Sequence, residues 1–239
     1  MYFVGLFLER DFDGIRQGLA IGFCYISIPF ILNRNAIPFI ITVAIASSIH
    51  ASALVFLPAY FLVNLKVSNT VIFAIIGALV ILVFANISFT KLVISILPDN
   101  IIKMRIETYM TLADSQYSQK IGISVGLLFR LFVLFVFVYF EKDIQIDKNL
   151  YYFLRNGFFV GLFISLFFND FEILSHRLSY VFRELQIFIV PFLIISCKKK
   201  SIQLFLLTIL FLYSSILLYR ILNAETLKDY YEYKKYLFI

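Results

Sequence analysis

Long apolar runs separated by short polar breaks make up most of the chain. The clearest runs cover residues 14–32, 69–97, 121–140, 151–168, 178–196 and 201–219. They approach or exceed the roughly 20 residues that a helix needs to cross the hydrocarbon core of a bilayer. Their apolar residues are continuous rather than alternating, which argues against the strands of an outer-membrane barrel. The pattern predicts an all-α, polytopic helical membrane protein with one transmembrane domain over residues 1–239.

The apolar stretch 37–65 allows two interpretations. It could form one tilted helix that crosses the bilayer once, or two short legs that meet near His50 and return as a hairpin. The three lysines at 198–200 and Arg34 carry positive-inside signals, and both sites face the cytoplasm only if the stretch is a hairpin. We therefore favour the hairpin, which gives about eight membrane segments in all.

This topology assigns the polar segments to two sides of the membrane. The cytoplasmic side receives Arg34, Lys66, the loop 141–149 and the lysines 198–200. The outer side receives 9–16, His50, the loop 98–120, the turn 169–177 and the C-terminal tail. Apolar residues recur through the loop 98–120, so we expect an amphipathic helix there that lies at the membrane interface.

The composition supports a membrane protein and excludes several other classes. Hydrophobic residues make up 62% of the chain and charged residues only 15%, whereas soluble domains carry about 25% charged residues. The net charge of +6 is explained by basic cytoplasmic loops, and no basic stretch alternates with aromatics, so nucleic acid is not expected as a partner. Cys24 and Cys197 lie inside apolar runs without metal-ligand spacing, so neither a disulfide framework nor a metal site is predicted.

Charged side chains at the ends of the apolar runs are the candidates for chemistry, because ionisable groups at membrane depth are costly. Arg16 and Gln17 lie at the mouth of the first run, beside Gly14, Gly18 and Gly22. The glycine stripe permits an ordinary packed helix with a snorkelling arginine. The alternative is an arginine whose forked donors hold a phosphate.

Two further candidates are a histidine and a helix face. His50 would lie at the apex of the hairpin, where it is either a structural hydrogen-bonding residue or a catalytic group. Arg177, Tyr180 and Glu184 fall at i, i+3 and i+7 and are predicted to share one helix face. That face is either an interfacial belt or a second cationic contact for an anionic substrate.

Three motifs occur in succession along the chain. They are FxxxRQGLAIG from Phe12 to Gly22, IASSIHASALVFLPAYFL from Ile45 to Leu62, and SHRLSYVF from Ser175 to Phe182 ahead of an apolar run with Pro191. Together they resemble the EpsG-like branch of the bacterial O-antigen and capsule polymerases, the Wzy type. The resemblance covers most of the chain, from about residue 9 to residue 222.

The resemblance implies a multi-pass glycosyltransferase of the bacterial inner membrane whose active face points to the periplasm or exterior. It would transfer a growing glycan from one undecaprenyl-diphosphate carrier to the next lipid-linked repeat unit, in the synthesis of lipopolysaccharide, capsule or exopolysaccharide. Its partners would be the undecaprenyl-diphosphate-linked oligosaccharide, the lipid bilayer and a regulator of chain length. It would use no nucleotide sugar, and no cofactor or metal is expected.

This chemistry needs cations for a leaving diphosphate and a base for an acceptor hydroxyl. The predicted contacts to diphosphate or sugar are Arg16, Gln17, Arg105, Arg177 and Tyr180. The predicted catalytic residues are His50, Asp11 and Asp114, with Asp13 and Glu107 as further acidic candidates for the base.

Two other functions and one departure from the family stay open. Family members typically carry further N-terminal helices that this chain is expected to lack, since residues 1–8 resemble the end of a truncated helix. One alternative function is a lipid-linked oligosaccharide flippase or transport component, which would usually need two related halves, and we find no internal repeat. The other is a non-catalytic membrane assembly subunit.

Overall fold

A computed structural model describes residues 14–87, 121–197 and 199–222, together with positions 89, 95, 96, 98 and 104. Every regular element in these residues is a helix, which confirms the all-α prediction. Four helices are long and apolar enough to cross a membrane, namely Ile15–Leu32, Lys148–Phe167, Leu174–Ser196 and Lys200–Tyr219. Shorter apolar helices cover Ala36–Ile49, Ala51–Leu62, Asn69–Phe84 and Val125–Tyr139.

The first membrane-length segment consists of two helices, α1 (Ile15–Ile26) and α2 (Ile28–Leu32), which are separated only by Ser27. The Ser27 hydroxyl donates to the carbonyl of Cys24 at 2.6 Å, which satisfies it inside the apolar environment. Pro29 lies in the first turn of α2, where its missing N–H costs no helical hydrogen bond.

The stretch 37–65 folds back on itself, which confirms the predicted hairpin. Helix α3 (Ala36–Ile49) ends at His50, where the backbone becomes extended, and the chain returns as a 3-10 helix (Ala51–Phe56) and α4 (Ala59–Leu62). The ring of Phe39, near the start of α3, lies 5.5 Å from that of Tyr60 at the end of the return leg.

The open ends of the hairpin are tied together by Arg34. Its guanidinium donates to the carbonyl of Tyr60 and to the amide oxygen of Asn64. The Tyr60 hydroxyl donates back to the carbonyl of Arg34 at 2.9 Å. The two legs therefore begin and end on the same side of the helix bundle.

Helix α5 (Asn69–Phe84) is shorter than the apolar run 69–97 that predicted it. It ends because Asn86 adopts a left-handed conformation with a φ of 56°, a conformation that asparagine tolerates better than most residues. The predicted amphipathic helix over 98–120 falls almost entirely outside the described residues.

The remaining helices are α6 (Val125–Tyr139), α7 (Lys148–Phe167), α8 (Glu172–Arg183), α9 (Gln186–Ser196) and α10 (Lys200–Leu222). The predicted span 178–196 thus begins earlier and is divided at Glu184 and Leu185. Helix α7 is the most buried of the long helices, and α8 packs directly against it. The 3-10 helix of the hairpin also lies inside the bundle, where Phe56 contacts the rings of Phe153 and Phe182.

One end of the bundle, which we call the basal end, is closed around the start of α7. Asn156 donates to the carbonyls of Leu62 and Leu65 at 2.7 Å each. Arg155 donates to Asn69 at 2.9 Å and to the carbonyl of Val67 at 2.8 Å. These contacts join α7 to the open side of the hairpin and to the start of α5. Asn69 also donates to Glu141 of the loop 141–149, so this loop lies at the basal end too.

The opposite end, the apical end, contains the turn between α7 and α8. Asn169 exchanges two 3.1 Å hydrogen bonds with the backbone of Gly122, just before α6. The start of α1 and His50 lie at this end too, because α2 and the open side of the hairpin lead to Arg34 at the basal end. Among the described residues, Arg34 and the loop 141–149 thus lie at one end and His50 and the turn 169–177 at the other, as the charge pattern predicted.

Candidate functional site

Arg16, His50 and Arg177 lie together at the apical end. The pKa of the His50 imidazole is lowered from its ordinary value, first by burial and then by the positive charges of Arg177 and Arg16. An electrostatic effect of this kind requires proximity, so three elements that are distant in sequence converge here. Burial and the two positive charges therefore favour the neutral form of the His50 imidazole.

The hairpin positions this group through its small residues. Ala46 and Ala53, on the two legs beside the apex, are almost completely buried, which lets the legs approach their neighbours closely. The hydroxyls of Ser47 and Ser48 donate to carbonyls in the preceding turn of α3, at 2.8 and 2.7 Å. The 3-10 helix packs against both α1 and α8, so His50 is held between the helices that carry Arg16 and Arg177.

The two arginines differ in their partners from Arg34, Arg130, Arg155 and Arg183. Arg16 and Arg177 are both exposed, and neither forms a hydrogen bond or ion pair with another described residue. Arg155 at the basal end has its donors on Asn69, Val67 and Asn156 instead. The apical guanidinium groups can therefore bind an anion with forked donors without breaking an existing contact among these residues.

His50 also caps the returning leg of the hairpin. Its Nδ1 accepts a hydrogen bond from the backbone N–H of Ser52 at 3.3 Å and lies 2.7 Å from the Ser52 hydroxyl. A backbone N–H can only donate, and the Ser52 hydroxyl can donate as well, so both contacts are made when Nδ1 carries the lone pair. The neutral ring then carries its hydrogen on Nε2.

Tyr180 differs from this group in its exposure. Arg177 is exposed, whereas Tyr180 and Glu184 are each only 2% exposed and belong to the protein interior. The predicted face is therefore exposed at Arg177, near its start, and buried from Tyr180 onward. The Tyr180 ring lies 5.3 Å from the guanidinium carbon of Arg183.

The other predicted site residues have different outcomes. Gln17 follows Arg16 in the first turn of α1 and is half-buried. Asp11, Arg105 and Asp114 lie outside the described residues, as do Asp13 and Glu107. Within the described part of the chain, no group of three or more His, Cys, Asp and Glu side chains is arranged to hold a metal ion.

A chain of buried charges below the apical group was missed by the sequence analysis. Arg183 and Glu184 are 3% and 2% exposed, and Arg183 Nε lies 3.4 Å from Glu184 Oε1. Arg183 Nη1 donates to His176 Nδ1 at 3.1 Å, and His176 Nε2 lies 3.5 Å from a carboxylate oxygen of Glu172. The contacts run along α8 from its apical start to its buried end.

The same chain of charges continues into two further helices. Gln186 of α9 donates to Glu184 Oε2 at 2.8 Å, and Arg130 of α6 lies 4.0 Å from Glu184 Oε1. Gly126 leaves room for Arg130, because a Cβ there would lie 3.2 Å from its Nη1. We call this set of six residues the internal ion chain: Glu172, His176, Arg183, Glu184, Gln186 and Arg130. The sequence signal that could have found it is Arg130, a charge in the middle of an apolar run.

Comparison with known proteins gives one match. A family model described as the EpsG family matches residues 1–238 of the chain. No curated protein and no solved structure matches the chain.

Proposed function

The chain belongs to the EpsG family, a polymerase-like membrane family, and on that premise we propose that it polymerises lipid-linked oligosaccharide repeat units. The products would be O-antigen, capsule or exopolysaccharide. The observation that carries this proposal is the convergence of Arg16, His50 and Arg177 at one end of a helical membrane protein. Cations that have no hydrogen-bond or ion-pair partner among the described residues suit a substrate whose leaving group is an anionic lipid diphosphate.

The proposed reaction is a glycosyl transfer between two carriers. The acceptor hydroxyl oxygen of one repeat unit forms a bond to the anomeric carbon of the growing glycan. The bond between that carbon and the diphosphate oxygen breaks, its electron pair stays on undecaprenyl diphosphate, and the hydroxyl proton passes to a base. Arg16 and Arg177 would stabilise the charge that develops on the leaving diphosphate.

The remaining predicted residues take roles around this centre. Gln17 would contact diphosphate or sugar beside Arg16, and Arg105 would add a further cation from the loop 98–120. Tyr180 would support the site from the protein interior. Asp11 and Asp114 are the acidic candidates for the base. The apical end would face the periplasm of a bacterial inner membrane, where a regulator of chain length is a candidate partner.

Replacement of the apical arginines tests the proposal. In a deletion strain complemented with Arg177→Ala, we expect a loss of polymer synthesis of about 100-fold, the usual cost of removing one donor to a developing anion. Single lipid-linked repeats should accumulate while the ladder of long chains disappears on a polysaccharide gel. Arg16→Ala should behave in the same way.

Lys66→Ala, at an exposed position of the basal end, is the matched control and should leave the ladder unchanged. A normal ladder in the Arg16→Ala, Arg177→Ala double variant, at wild-type membrane levels, would contradict the proposal. Loss of single repeats from the outer face of the membrane would point to transport instead.

A further inference from the structure

We propose that His50 is a hydrogen-bond donor to the leaving diphosphate, through its Nε2–H group, and not the base that deprotonates the acceptor hydroxyl. The inference rests on the function proposed above and assigns a role to one residue of that site. It replaces the expectation from the sequence that His50 is a candidate base.

The first step of the argument is the direction of the hydrogen bond at Nδ1. A histidine that acts as base through Nε2 usually has an Nδ1–H that donates to an acceptor, which leaves the lone pair on Nε2. Here the arrangement is reversed, because Nδ1 accepts from the backbone N–H of Ser52, and the Ser52 hydroxyl at 2.7 Å can donate to the same nitrogen. A proton on Nδ1 would oppose that N–H and remove the side-chain acceptor at the start of the 3-10 helix.

The second step is the charge around the ring. A base that took up a proton here would become a third cation beside Arg16 and Arg177. Among the residues that the structure describes, no carboxylate pairs with His50 to offset that charge. A neutral donor adds no charge, and it extends a set of two guanidinium groups that can themselves only donate.

The third step is the balance of the reaction. As the bond from the anomeric carbon to the diphosphate breaks, negative charge grows on the diphosphate oxygens, and Nε2–H strengthens its hydrogen bond to one of them. His50 keeps its proton throughout. The proton of the acceptor hydroxyl passes to a carboxylate, for which Asp11 and Asp114 are the sequence candidates, and finally to water.

Three substitutions at one position separate the two roles. The side-chain amide nitrogen of His50→Gln reaches about as far as Nε2 and keeps a donor there, but it cannot act as a base. His50→Asn keeps an oxygen that can accept from the Ser52 N–H, as asparagine does at helix starts, but its amide is too short to replace Nε2. His50→Ala removes both functions.

If His50 is a donor, polymer synthesis by the full-length protein should fall by no more than about 10-fold in His50→Gln. It should fall by about 100-fold or more in His50→Asn and His50→Ala, as for a lost oxyanion donor. Equal losses in all three variants, at equal membrane levels, would overturn the inference.

Binding of undecaprenyl diphosphate to the purified full-length protein gives a readout besides activity. A donor should contribute to this binding, so His50→Asn should weaken it by about 10-fold and His50→Gln should not, in line with a charge-assisted hydrogen bond. Unchanged binding in His50→Asn would overturn the donor role. A wild-type protein that neither binds undecaprenyl diphosphate nor forms polymer would instead contradict the proposed function as a whole.

The tautomer can also be measured without altering His50. The chain has only 2 histidines, so nitrogen NMR of the labelled protein, compared with His176→Gln, isolates the ring signals of His50. We expect hydrogen on Nε2 and a lone pair on Nδ1. Hydrogen on Nδ1 would overturn the inference even if no variant at position 50 folds.

Discussion

The partners of each charged side chain separate structural from chemical roles. Arg155 is held by fixed acceptors and stacks over Tyr152, with 5.0 Å from its guanidinium carbon to the ring centroid. Arg177 is exposed and shares its surroundings with His50. Both residues are arginines near the end of an apolar run, so the difference arises from the neighbours that folding supplies.

Glycine at position 161 allows the close approach of α7 and α8. A Cβ there would lie 2.6 Å from the backbone nitrogen of Arg183 and 2.9 Å from the carbonyl carbon of Phe182. Because these are backbone atoms, Gly161→Ala should push α8 away and lower the free energy of unfolding by about 1–3 kcal/mol, the usual cost of overpacking.

Thermal unfolding of the purified protein measures this effect. Gly22→Ala is the control, because Gly22 is helical and a Cβ there meets nothing within 4 Å. It should leave stability unchanged or raise it slightly, since alanine favours helices over glycine. Equal melting temperatures for the two variants would show that the α7–α8 contact relaxes without cost.

The element that organises the site is α8, because its two faces meet different environments. One face carries Arg177 beside the hairpin apex, another carries Glu172, His176 and Arg183, and the contacts pass from Glu184 at the end of the helix to α6 and α9. Glu184 is the centre of that chain, since it meets Arg183, Gln186 and Arg130. The ion chain therefore fixes the rotation of α8 and, with it, the position of Arg177.

Removal of the Glu184 carboxylate should take away the negative charge that Arg183 and Arg130 share in the protein interior. We expect Glu184→Ala to lower the free energy of unfolding by about 3–5 kcal/mol, as for other broken buried ion pairs. Glu172→Gln, at the half-exposed end of the chain, should cost no more than about 1 kcal/mol. Denaturation of both variants in the same detergent would compare them, and a wild-type melting temperature for Glu184→Ala would refute this account.

Some elements could be predicted from the sequence, and others depended on tertiary contacts. The hairpin could be predicted from the number of membrane crossings between basic segments, because Arg34 and the lysines at 198–200 share one side of the membrane only if residues 37–65 fold back. The end of α5 did not, because the left-handed turn at Asn86 lies inside an apolar run that continues beyond it. The internal ion chain was missed because the burial of Arg183 and Glu184 depends on how α8 packs against α6 and α7, which no local pattern encodes.

The whole molecule has two chemically different ends. The basal end is closed by hydrogen bonds that use amide, guanidinium and backbone groups, whereas the apical end gathers Arg16, His50 and Arg177. Each of the three motifs that carry the family resemblance contributes one of these residues, although the second and third motifs are separated by more than a hundred residues. Their succession in the sequence therefore indicated a shared location. The structure was needed to show which of their side chains are exposed.

The orientation of the two ends can be tested by labelling of single cysteines in cells. In a variant with Cys24→Ala and Cys197→Ser, we expect Ile123→Cys at the apical end to react with a membrane-impermeant maleimide in intact cells whose outer surface is accessible. Lys142→Cys at the basal end should react only after the inner membrane is permeabilised. The reverse pattern would place the arginines on the cytoplasmic face and contradict a periplasmic polymerase.

The shortness of the hairpin has a consequence for the surrounding lipid. Helix α3 has 14 residues, and at 1.5 Å per residue it rises only about 21 Å, whereas the hydrocarbon core is about 30 Å thick. If Arg34 is taken to lie at one membrane interface, the apex at His50 would lie about 9 Å short of the opposite headgroups. On the function proposed above, the bilayer would thin at this point, and the phosphates of a carrier lipid would come down to the apex. Glycosyl transfer at that depth would take place away from bulk water, which limits the competing hydrolysis of the activated glycan.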